Sequence, residues 1–178
     1  MRWLRPTVPR GVRDRLRLER GERVLAHAES REGPIVSTDR ALHLPDGRRI
    51  PWQDIDHARW DADGEAFTFT EEGVGERVYT VPDPGRLAET VHERVTATIV
   101  VSHRGELPEG GSGFRLVARR PPGGTEVDWR VHLDEGLDPD DPRVREAVRH
   151  ELAAVRERTG GGRWRRPPRW CPAPSRWC

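Results

Sequence analysis

TDRALHLPDGRRIPWQDID, residues 38–56, decides the fold class. Two short apolar runs, 41–44 and 50–52, flank Pro45-Asp46-Gly47, and Asp-Gly between extended runs favours a hairpin. A connection this short joins antiparallel neighbours, because parallel strands need a crossover of about a dozen residues or more. The same punctuation recurs on both sides, at Arg31-Glu32-Gly33, Asp63-Gly64 and Glu72-Gly73. It predicts seven strands over 23–29, 34–38, 41–44, 48–52, 56–60, 66–70 and 77–81. Asp83-Pro84 then reads as an N-cap followed by a first-turn proline, and Leu87, Val91 and Val95 form a single apolar stripe. Together they predict a helix over about 84–96 that packs by one narrow face.

A second pattern follows. The segments 96–103, 114–119 and 127–133 read as strands, the last alternating Val127, Trp129, Val131 and Leu133 with Asp128, Arg130 and His132, which predicts a sheet with one buried face. Asp141-Pro142 repeats the helix-opening device, and Val144, Val148, Leu152 and Val155 supply its stripe before Gly160. A short helix is expected over 12–19, without a wide apolar face. The expected organisation is a basic arm over 1–21, a β-rich body over 22–97, a β-β-β-α extension over 98–159 and a disordered Arg/Trp/Pro tail over 160–178.

Leu, Ile, Val and Phe number 36 of 178 residues, close to the roughly 20% below which highly charged chains tend to be disordered. The net charge of +1 favours folding but hides an asymmetry: residues 1–20 and 160–178 carry +5 each, and the body −9. Basic ends of this kind suit anionic surfaces, simply aid solubility, or, for the tail, fold back on the acidic body. All 31 cations are Arg, a chain-wide bias that selects no site. Cys171 and Cys178 both lie in the last eight residues, so no disulfide framework spans the body. The first twenty residues hold no apolar run of signal-peptide length, and the longest apolar run mid-chain is Ile99-Val100-Val101. The expectation is a protein without a transmembrane segment in a reducing cytoplasm, or peripheral at the membrane.

Seven short strands followed by a helix resemble the bacterial pleckstrin-homology-like (PH-like) family. The likeness rests on Thr38-Asp39-Arg40 leading into 41–44, then on Ile50-Pro51-Trp52-Gln53-Asp54-Ile55. It spans about residues 22–97. It implies an antiparallel seven-stranded barrel closed by a helix, serving docking or a membrane-proximal role and not catalysis. No phosphoinositide-binding residues carry over, because only Arg31, beside Glu29 and Glu32, lies between the first two strands.

The chain contains no Lys, which excludes a P-loop, a Schiff-base lysine and the protein-kinase lysine. Gly110-Gly111-Ser112-Gly113 lacks the final glycine of a nucleophile elbow and has no helix behind it, so Ser112 reads as a turn residue. His92 and His150 are each followed by Glu but lack the second His of a zincin. His103 and His132, on strands expected to be neighbours, are the one pair that could meet. Asp61 to Glu65 reads as a hairpin turn in preference to a calcium loop. The acids at 134, 135, 138, 140 and 141 read as capping and solvation before a helix. No catalytic, metal or cofactor site is therefore expected.

Trp52, Trp60 and Trp129 read as core or cover. The tail has no core of its own to join, which leaves Arg163, Trp164, Arg165, Arg166, Arg169, Trp170, Arg176 and Trp177 as the candidate partner-binding residues. The favoured function is a non-enzymatic docking module for a protein partner or a membrane surface. Nucleic-acid binding through the Arg/Trp-rich ends ranks second, and a hydrolase with a His/acid site third.

Overall fold

The computed structural model describes residues 8–14, 16–159 and 168–171. The chain is α+β, mainly β, with antiparallel sheets and few helices. It divides into two units, Met1–Thr98 and Ile99–Cys178.

The first unit opens with a single helical turn, α1 (Arg10–Arg13). The helix expected over 12–19 is thus shorter and displaced, since this segment has no apolar face to hold a longer one. Seven strands follow: β1 (Val24–Ser30), β2 (Gly33–Thr38), β3 (Ala41–His43), β4 (Arg49–Pro51), β5 (Ile55–Asp61), β6 (Ala66–Glu71) and β7 (Gly75–Thr80). They form two antiparallel meanders, β1-β2-β3-β4 and β5-β6-β7. No ladder among the described residues joins the meanders into a closed barrel. A backbone bond from Arg31 N–H to Thr80 O (3.0 Å) ties the β1–β2 turn to the end of β7.

Helix α2 (Leu87–Ala97) packs Leu87, Val91 and Val95 against Ile35, Leu42, Trp52, Ile55, Phe67 and Phe69. The expected Asp83 cap is not made. Asp83 instead accepts from Gly85 N–H (2.9 Å), Gly85 sits at φ +47°, and the helix starts at Leu87 with no side-chain cap. The left-handed glycine directs the chain into a turn before the helix can begin.

The second unit is a sheet of β8 (Ile99–Glu106), β9 (Gly113–Arg119) and β10 (Asp128–Leu133), covered on one face by α3 (Pro142–Arg158). Here the cap forms as the sequence predicts: the Asp141 side chain accepts from Arg143 N–H (2.8 Å) ahead of Pro142. Val144, Val148, Leu152 and Val155 meet Phe114, Leu116, Trp129, Val131 and Leu133 in a separate core.

A fourth strand, β11 (Arg169–Cys171), pairs with β10 in parallel, with Val131 opposite Trp170. This corrects the expectation of disorder at 169–171. Parallel neighbours require a crossover, and α3 lies between these two in the chain. A three-residue strand flanked by prolines shows no periodicity that a sequence reading could detect.

Candidate functional site

The opening stretch is scaffold. The Thr38 hydroxyl donates to Glu22 Oε1 (2.5 Å) and accepts from Ala41 N–H (2.9 Å), closing the β2–β3 turn. Asp39 accepts from the backbone N–H (2.8 Å) and Nε (3.2 Å) of Arg23. Arg40 pairs with Glu19 (3.0 Å), and Trp52 Nε1 donates to Thr38 O (2.9 Å) with its ring fully buried. Each polar residue of the Thr-Asp-Arg step therefore has a structural partner.

Glu22, which the sequence reading did not single out, lies beneath this turn with its side chain 0% exposed. His43 Nε2 stands 3.2 Å from Glu22 Oε1, Arg49 reaches Oε2 at 3.6 Å, and Glu19 N–H donates to Oε2 (2.8 Å). Burial works to raise the Glu22 carboxyl pKa. The hydrogen bonds from Thr38, Glu19 and His43 and the Arg49 charge outweigh it and hold the group below the usual carboxylate range. A Glu, a His and a Thr in contact resemble catalytic parts. His43 is only 4% exposed, and the network fastens residues 19–22 to the sheet.

Among the described residues, no group of three His, Cys, Asp or Glu is placed to hold a metal ion. The order β11-β10-β9-β8 puts β9 between His103 and His132, so the pair expected to meet does not do so as strand neighbours. His103 instead contacts Glu151 of α3 (2.9 Å). Ser112 lies in the β8–β9 turn, where its carbonyl accepts from Leu107 N–H (3.1 Å). Asp61 to Glu65 forms the β5–β6 turn, with Glu65 at φ +49°. Of the tail residues proposed for partner binding, Arg169 and Trp170 are exposed on β11. Arg163, Trp164, Arg165, Arg166, Arg176 and Trp177 lie outside the described residues.

The second unit contains a groove of about 760 Å³ between the β8–β9 turn, the loop after β10 and the first half of α3. Leu107, Leu137, Val144 and Ala147 give it apolar lining. Glu106, Glu109, Asp138, Asp141, Glu146 and Glu151 surround them, with Arg143 as the single guanidinium. That guanidinium is held at the rim by Glu109 (2.8 Å), in an exposed pair that solvent screens heavily.

The shape of the groove follows from the hairpin beside it. Asp134 accepts two bonds from Arg104 (2.8 and 2.5 Å) and one from Gly113 N–H (2.7 Å), while its own N–H donates to Gly113 O (3.0 Å). The Arg104 bonds and charge hold the Asp134 carboxyl below the usual range. Asp134 thus joins the end of β10 to the β8–β9 turn and is not merely a solvated acid. The ring of Phe114 lies over Gly105, where an added Cβ would come within 2.5 Å of it. A glycine is needed there for the strands to approach.

The sequence placed the acids of 134–141 ahead of a helix but could not bring Glu106 and Glu109 beside them. No helix among the described residues is long and apolar enough to cross a membrane. Comparison with known proteins returned no matching family model, curated protein or solved structure.

Proposed function

We propose that the chain is a non-enzymatic docking protein, in which a PH-like first unit serves as scaffold and the groove of the second unit receives a cationic, aromatic-bearing segment of a protein partner. The PH-like reading is supported by seven antiparallel strands in groups of four and three, followed by a helix whose stripe fills their common core.

The observation that carries the docking reading is the groove itself. Six carboxylates around an apolar floor complement Arg guanidinium groups on the rim and an aromatic ring between them. The lining holds no Ser, Thr or Cys to act as nucleophile. Its sign opposes phosphate-rich ligands, which favours a protein partner over a lipid headgroup or nucleic acid at this surface. A cytoplasmic setting belongs to the same proposal.

The test is fluorescence titration of the whole chain with a labelled Arg-Trp-Arg-Trp peptide. Binding should weaken as salt rises, because the Debye length falls from about 10 Å at 0.1 M to about 3 Å at 1 M. It should be lost when Glu106 and Glu109 are both changed to Arg. Binding that ignores this charge reversal, or tighter binding to anionic vesicles or duplex DNA than to the peptide, contradicts the reading.

A further inference from the structure

The parallel sense of β11 determines which end of the sheet the chain reaches after Cys171. His132 pairs with Cys171, so β11 ends beside the end of β10. One residue past β10, Asp134 is bonded to Gly113, which pairs with Glu106 at the end of β8. This end of the sheet therefore carries the β8–β9 turn and the loop after β10, the two elements that face α3 across the groove.

Residues 172–178 read PAPSRWC, with Arg176 and Trp177 and no acid. From β11 to β8 there are three strand spacings, about 14 Å at 4.7–4.9 Å each. Six extended residues span about 20 Å. Arg176 and Trp177 are thus within reach of the groove, where they add a second guanidinium to a lining in which carboxylates outnumber Arg143 six to one, and a ring for its apolar floor.

We propose that residues 172–178 occupy the acidic groove in cis through Arg176 and Trp177, so that this segment of the chain competes with any partner segment. This rests on the docking role proposed above and adds its regulation. The occupant remains tethered by β11, and its effective concentration is set by the few residues between Cys171 and Arg176. For an effective concentration on the order of 1 mM and a free-peptide Kd on the order of 0.1 mM, vacating the groove strengthens binding of an outside peptide by about tenfold.

The experiment titrates a fluorescent PAPSRWS peptide, matching 172–178 with Ser in place of Cys178, into the intact chain and into the same chain carrying R176S and W177S. Both substitutions leave β11 untouched, and thermal melting checks that the unit remains folded. The expected result is about tenfold tighter binding to the doubly substituted chain, abolished when Glu106→Arg and Glu109→Arg are added. Equal affinity for both chains overturns occupancy in cis while leaving the groove a docking site. Binding to neither chain overturns both. Tighter binding that survives the Glu106 and Glu109 reversals also overturns the proposal, because it places the vacated site elsewhere.

Discussion

Glu22 shows how far one residue can govern a fold while carrying no signal in the sequence. It stands among basic residues just before β1, and its partners Thr38 and His43 lie sixteen and twenty-one positions away. Only the register of three strands brings them together. Its depressed pKa makes the unfolded chain bind the proton more readily, so Glu22 contributes stability above the usual carboxylate range. That contribution is lost as pH falls through its lowered folded-state value. Glu22→Gln should cost about 1.5–3 kcal/mol at neutral pH, the range for a hydrogen bond to a charged group. Denaturant melts of the first unit should then show a shallower loss of stability on acidification than in the parent chain. An unchanged slope would mean that the carboxylate is not linked to folding. Trp52 is the opposite case: a large ring at the end of a predicted strand, 48–52, reads as core or cover from sequence alone, and its side chain is fully buried.

The elements divide by how local their causes are. Asp46-Gly47 produces its hairpin through contacts within the turn, with Arg48 N–H on Asp46 Oδ1 (2.9 Å) and Gly47 at φ +83°, and all seven strands of the first unit were legible for that reason. Asp83-Pro84 and Asp141-Pro142 look alike in sequence, yet only the second caps a helix, because Gly85 redirects the first. β11 was illegible, since among the described residues it pairs with β10 alone and that pairing depends on the whole of α3 lying between. The β8–β9 hairpin stands between these cases: its strands were expected, but not the close approach at Gly105. Gly105→Ala would force the Phe114 ring out of place, at a cost of about 1–3 kcal/mol for overpacking. A lowered melting temperature of the second unit is the expected outcome, and an unchanged one would show that the ring yields freely.

For the molecule as a whole, charge asymmetry between ends and body was legible in the sequence, but its consequence was not. From sequence alone the Arg/Trp-rich residues suit either anionic surfaces outside the chain or a tail folded back on the acidic body, and charge does not choose between them. The groove gives them a carboxylate-lined destination within the chain's own second unit, assembled from the β8–β9 turn, the loop after β10 and α3. Only the last two are neighbours in sequence. The central claim is that this groove docks cationic, aromatic segments, and amide NMR of the R176S/W177S chain titrated with the Arg-Trp-Arg-Trp peptide tests it most directly. The account expects shifts gathered at residues 106–109 and 136–151. Shifts centred on the first unit, or none at saturating peptide, would contradict it.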